Sequence, residues 1–140
     1  MKCQPLSRFA LNEPAATRLS PIAILRIEGA SLFAGSLIVF HSISSPWALF
    51  LGLFLTPDLA MLGYLKGNKI GATLYNLTHT TTIYLGLAAL AWFTKSPTLL
   101  AVAITGLAHI GFDRALGYGL KLDSGFKHTH LGQLGSSEQN

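Results

Sequence analysis

PTLLAVAITGLAHIGFDRALGYGLK, residues 97–121, opens with twelve positions that carry no ionisable group and then sets His109, Asp113 and Arg114 within six residues. An apolar run of this length is close to the roughly 20 residues that cross a bilayer as a helix. Ionisable groups inside such a span are costly, and they usually face a bundle interior or a wet cavity. The stretch therefore predicts a membrane helix with a polar face that has something to do.

The rest of the chain agrees. Half of its 140 residues are hydrophobic and only 11% are charged, against about 25% in a soluble domain. A soluble chain so poor in charge would not cover its own surface. The net charge of +4 forms no basic face interleaved with aromatics, so nucleic acid is not an expected partner. Cys3 is the single cysteine, which excludes an intramolecular disulfide and any multi-cysteine metal site.

Four apolar segments can be marked, about Pro21 to Phe40, Pro46 to Leu65, Ile70 to Phe93 and Pro97 to Leu120, separated by HSISS, KGNK and TKSP. Short links force antiparallel neighbours, so the expected fold is all-α: an up-down four-helix bundle integral to the membrane. Residues 1–20 lack the apolar stretch of a secretory signal and read as an extra-membrane arm. Residues 21–121 form the transmembrane domain, and residues 122–140 a polar, glycine-rich tail. With four spans, Lys2, Arg8, Arg18, Lys66, Lys69, Lys121 and Lys127 share one side, and Lys95 stands alone on the other. That asymmetry places both termini in the cytoplasm.

Depth singles out the candidate site. At about 1.5 Å per residue, Asp58 lies about 10 Å from the cytoplasmic end of its span, His79 about 13 Å, His109 about 18 Å and Asp113 about 12 Å. Glu28 lies about 10 Å deep on the first span. These groups fall in one layer. His109 and Asp113 are four apart and project from one face, as do Tyr75 and His79, with Asn76 beside them. Pro57 is expected to kink the second span just before Asp58 and free backbone carbonyls. Arg114 points away from Asp113, towards either the headgroups, Glu28 or the tail.

Two imidazoles with two or three carboxylates are a ligand set for one divalent ion such as zinc, manganese or iron, and bundles build such sites from facing helices. His79, His109 and Asp113 are the expected ligands, with Asp58 as a fourth ligand or a base. A catalytic zinc keeps one position for water and lowers its pKa to about 7. The same groups suit a proton relay in a small transporter or channel, or a network that only fixes helix register. The sequence leaves these three readings open. In the tail, His128 and His130 emerge on the same side as the polar layer, and His130 is a candidate to fold over its entrance and take part in catalysis.

PDLAMLGYL, YNLTHT, LAHIGFDRALGYGLK and GFKHTHLG, in this order, resemble the small bacterial membrane family called domain of unknown function 4260. The resemblance covers roughly Arg26 to Gly132. It implies four helices and, as motif residues, Asp58, Tyr64, Asn76, His79, His109, Asp113, Arg114 and His130. A shorter likeness is to inner-membrane metal-dependent hydrolases, which carry Pro-Asp, Thr-His and His-x-x-x-Asp in the same order. That likeness implies Asp58, His79, His109 and Asp113 as metal ligands. LAM stands where the hydrolases have a second acid and histidine, and the His-Arg before Thr-His is missing, which points away from a dinuclear site. The expectation is a protein of the bacterial inner membrane, able to form homo-oligomers, whose substrate is a lipid or amphiphile.

Overall fold

A computed structural model describes residues 20–43 and 45–133. The expected N-terminal arm, Ser20 apart, and the last residues of the tail lie outside the described residues. The chain runs α1 (Pro21–Ser42), α2 (Trp47–Phe54), a 3-10 helix η1 (Thr56–Lys66), α3 (Asn68–Thr78), α4 (Thr81–Thr94) and α5 (Pro97–Leu116). Three short strands follow, β1 (Lys121–Leu122), β2 (Gly125–Thr129) and β3 (Gly132–Gln133).

The long helices begin where local chemistry dictates. Ser20 and Ser96 accept the Ala23 and Leu99 amides on their hydroxyls, at 3.1 and 3.2 Å. Each is followed by a proline at the first helical position, where its missing N–H costs nothing. Helix α5 ends on Gly117, whose φ of 93° is the left-handed cap that glycine adopts without strain.

Three helical runs are long and apolar enough to cross a membrane: Pro21–Ser42, Trp47–Lys66 and Pro97–Leu116. The side chains of Leu51, Leu65, Trp92 and Phe93 are more than two-thirds exposed, a surface suited to lipid rather than water. The expected third span, Ile70 to Phe93, is not one helix. It breaks after Thr78 into helices of 11 and 14 residues, with Thr80 in an extended conformation (φ −92°, ψ 129°). The cause is local: in THTTT, β-branched residues lose side-chain freedom in a helix, and their hydroxyls compete for backbone groups. The Thr78 hydroxyl lies 3.0 and 3.2 Å from the Tyr75 and Leu74 carbonyls of its own helix and 3.1 Å from the Pro57 carbonyl across from it.

Helix α5 is the centre of the molecule, buried without interruption from Ala103 to Gly111. It packs chiefly on α1, with α4 and α2 on its other sides. The α1–α5 crossing is a backbone-to-backbone approach. A Cβ added at Gly111 would lie 2.6 Å from the Phe33 amide nitrogen, and one at Gly29 would lie 2.7 Å from that of Ala115. Small residues at such crossings are how membrane helices gain contact when lipid is as apolar as their side chains. Phe40, Phe50, Ala101, Ile104, Leu107 and Ala108 form the apolar core below the polar layer.

The second segment also differs from a single kinked α-helix. Without an amide hydrogen, Pro57 cannot bond the Leu53 carbonyl four residues back. The Thr56 hydroxyl takes that carbonyl at 2.7 Å instead, and the chain continues as the tighter η1 helix. After α5, the segment expected to be a polar tail folds into an antiparallel sheet of order β1-β2-β3. The fold is therefore mostly helical, as expected, with a small β appendage that the sequence did not announce. The strands are two to five residues long, too short to show a period, and the sheet is held by docking on α3. There Asn76 donates from Nδ2 to the Lys121 carbonyl at 2.8 Å and accepts the Lys121 amide on Oδ1 at 2.7 Å.

Asn76→Ala removes both bonds, each of them worth about 1 kcal/mol. It is expected to release the sheet while leaving the helices intact. Amide exchange at Lys121, and protease cleavage between Gly117 and Lys121, should both accelerate by about tenfold or more, with helical circular dichroism unchanged.

Candidate metal centre

Three segments deliver four ligand groups to one point. His109 and Asp113 come from the central helix α5, one turn apart. Asp58 comes from the start of η1, immediately after the proline that changes the helix type. His79 is the C-cap of α3 (φ −107°, ψ 15°), so the break in the expected third span turns its ring inward. The Thr78–Pro57 bond ties the turn that carries His79 to the turn that carries Asp58.

One ligand atom from each of Asp58, His79, His109 and Asp113 lies within 4.8 Å of the other three. The His79 and His109 Nε2 atoms are 3.1 Å apart. His79 Nε2 lies 3.3 Å from Asp58 Oδ1 and 3.6 Å from Asp113 Oδ2; His109 Nε2 lies 3.5 and 3.8 Å from the same oxygens. A tetrahedral ion bound at about 2.0–2.2 Å sets its ligands about 3.3–3.6 Å apart. The cluster is thus already near the size of a four-coordinate site. Both imidazoles are almost wholly buried, whereas Asp58 remains 31% exposed and Asp113 15%.

The tautomer of His79 follows from its partners. Its Nδ1 lies 2.9 Å from the Tyr75 carbonyl and 3.0 Å from the Thr78 hydroxyl. A carbonyl only accepts, so this network assigns the hydrogen to Nδ1 and turns the Nε2 lone pair towards the carboxylates. Such a bond from the far nitrogen is the usual outer support of a metal-bound histidine. The Tyr75 ring stacks on the imidazole at 3.7 Å, and its hydroxyl donates to Asp113 Oδ2 at 3.2 Å. One tyrosine therefore steadies two ligands. His109 is held by packing, edge-on to Phe54 at 5.4 Å, and its Nδ1 has no partner among the described residues.

Two hollows meet at the cluster. A cleft of about 300 Å³ is lined by Asp58, Met61, Tyr75, Asp113, Tyr118, Lys121 and Phe126. A largely apolar groove of about 520 Å³ runs along η1 past Leu55, Asp58, Leu59, Met61, Leu62 and Leu65. Asp58 and Met61 belong to both.

Of the other expected site residues, Tyr75 reaches the cluster and Arg114 shares a small hollow with His79 and Asp113; Glu28, Tyr64, Asn76 and His130 lie elsewhere. Glu28 is exposed on α1 and, with Arg114 and Thr81, lines a separate hollow of about 180 Å³. That hollow contains none of the four clustered residues, and Glu28 makes no ion pair with Arg114 among the described residues. The imidazole of His130 is exposed, and its Nδ1 accepts the Leu120 amide at 2.8 Å, so it braces the sheet rather than covering the entrance. His128 Nδ1 lies 2.8 Å from the Ser124 hydroxyl. Tyr64 is on η1 beside Phe126, 5.2 Å between rings, and its buried hydroxyl is without a partner among the described residues. Asn76 acts on the sheet.

Sequence reasoning counted Lys121 only as a cytoplasmic-side charge. The structure buries it at the end of the cleft, with Nζ donating to the Phe126 carbonyl at 2.9 Å and lying over the Phe126 ring at 4.1 Å. Burial pushes its ammonium below the ordinary lysine pKa, against an upward pull from the Asp113 and Asp58 carboxylates. Lys121 closes the LAHIGFDRALGYGLK motif, but nothing in its spacing points to the cleft, which it reaches because the sheet folds back.

The chain belongs to the family described as domain of unknown function (DUF4260), whose model matches residues 22–134. That span holds every residue of the cluster, the cleft and the groove. No curated protein and no solved structure matches the chain.

Proposed function

We infer that this is a multi-pass protein of the bacterial inner membrane, with both termini in the cytoplasm and a single divalent metal, zinc by preference, held by Asp58, His79, His109 and Asp113. Its activity is metal-dependent hydrolysis of an ester or phosphoester in a lipid or amphiphile. One observation carries the reading: one possible ligand atom from each of the four residues converges within 4.8 Å of the others.

Protons alone satisfy that arrangement poorly. The His79 lone pair has room for one hydrogen from His109, which leaves two carboxylate oxygens within 3.8 Å of the imidazoles. A partly buried carboxylate pair is stabilised when a cation neutralises it. The nitrogen and oxygen donor set without thiolate suits zinc.

A bound divalent ion would act as a Lewis acid and activate water at neutral pH. The protein's share is positional. Tyr75 holds the Asp113 carboxylate and the His79 ring, and the buried imidazoles keep the inner side dry. Asp58, the most exposed of the four and shared by both hollows, serves as the fourth ligand or as the base facing the substrate. The apolar groove opens on the lipid-facing side of η1, which favours a substrate arriving from the membrane.

Mass spectrometry of the detergent-purified chain should find about one zinc, manganese or iron per chain, removed by chelator and restored by the ion. Metal at background level after reloading would sink the proposal.

A further inference from the structure

We propose that Lys121 is the anion-binding residue of this site, and that the amphiphile it selects carries a phosphate headgroup, seated in the cleft, with its acyl chain along Leu55, Leu59 and Leu62. The proposal rests on the metal reading above and names the ligand class of the same site.

Charge is the first argument. One divalent ion and the two carboxylates cancel, which leaves the Lys121 ammonium as the uncompensated charge of the cleft. Every ion pair within 4.0 Å among the described residues joins an imidazole to Asp58 or Asp113. Lys121 is only 4% exposed, yet no carboxylate of the described residues lies within 4.0 Å of its ammonium. One of its three donors is used, on the Phe126 carbonyl. A buried ammonium is stable when paired, and the free donors of a lysine are a common means of holding phosphate.

Shape is the second. The cleft contains Lys121, Tyr118 and two of the proposed ligands, Asp58 and Asp113, and it shares Asp58 and Met61 with a groove lined mainly by leucines. Its volume of about 300 Å³ holds a glycerophosphate headgroup, and a phosphate has enough oxygens to serve an ammonium and a metal together. A chamber with a few charged groups beside an apolar groove is the form of an amphiphile site. The leucine groove also lies on a helix apolar enough to be in the bilayer, so the chain end need not leave the membrane.

The test uses the zinc-loaded full chain in detergent and three probes: dioctanoyl phosphatidic acid, dioctanoylglycerol and inorganic phosphate. The wild type should bind the phosphatidic acid at least tenfold more tightly than either other probe. Lys121→Gln should lose about tenfold or more of that affinity with its metal content unchanged, and Lys121→Arg should recover most of it. Leu59→Gln, on the exposed wall of the groove, should weaken phosphatidic acid binding severalfold and leave inorganic phosphate unaffected. Equal binding of dioctanoylglycerol, or an unchanged Lys121→Gln, overturns the proposal. Inorganic phosphate binding as tightly as the lipid also overturns it, by making the site one for the free anion. The wild-type comparison stands even if Lys121→Gln does not fold. Metal content, read separately, distinguishes failure of the headgroup assignment from failure of the metal centre.

Discussion

His79→Ala is expected to leave the chain without its metal and without the part of its thermal stability that depends on metal. In the proposed centre His79 supplies one of four ligand atoms, and its ring is fixed by the Tyr75 carbonyl, the Thr78 hydroxyl and stacking on Tyr75. Alanine removes the ligand and leaves two carboxylates facing one imidazole. Because metal binds only the folded site, a free concentration 1,000-fold above Kd contributes about 4 kcal/mol to stability. In the wild type, chelator should therefore lower Tm by a clear step that added zinc reverses. His79→Ala should melt at one temperature with zinc or chelator, with metal at background. Asp58→Asn supplies the contrast, since its partly exposed group is replaced by a weak ligand of the same shape; it should fold normally and hold metal about tenfold or more weakly. If His79→Ala keeps a full equivalent of metal, the centre is not where these four residues meet.

The largest effect on folding is expected at the α1–α5 crossing. Gly111→Leu would drive a side chain into the Phe33 backbone, where even a Cβ would lie 2.6 Å from a nitrogen and 2.9 Å from the Gly29 carbonyl oxygen. Backbone cannot rotate aside as a side chain can, so the helices must separate. Overpacking of ordinary cores costs about 1–3 kcal/mol, and a loss at or above the upper end is expected here. The site should suffer too, because α5 carries His109 and Asp113 two residues either side of Gly111. Thermal unfolding in detergent, read with metal content, should show both losses. Gly35→Ala is the control: nothing lies within 4 Å of its added Cβ, and in a helix that change is neutral or stabilising by about 0.5–1 kcal/mol. Equal behaviour of the two variants would mean that α1 and α5 do not meet at Gly111.

Much of the site was legible because it is written in local spacing. His109 and Asp113 are one helical turn apart, Pro57 marks Asp58, and counting rises from the span ends sets all four ligands in one layer. The same count failed for Glu28, since depth says nothing about the direction a residue faces around its helix. His130 failed for a related reason. Its position after the last span suggested an approach to the site, but whether a tail histidine points inward depends on a turn whose geometry is set by pairing with Leu120.

The sequence by itself determined the apolar helical segments, the starts of α1 and α5 at their serine-proline caps, and the grouping of Asp58, His79, His109 and Asp113 that could hold a metal. These follow from hydropathy, capping and the helical period, which act over a few residues. Only the tertiary structure decided that the third apolar segment breaks at His79 and that the tail returns as a sheet clamped by Asn76. The same folding buries Lys121 beside the cluster and leaves Glu28 outside it. Each of these depends on partners 20 to 90 residues distant, such as Thr78 on Pro57, Asn76 on Lys121 and Arg26 on Ala115. A short strand or an interrupted helix has too little periodicity to declare itself, and its conformation is selected by the contact that it makes.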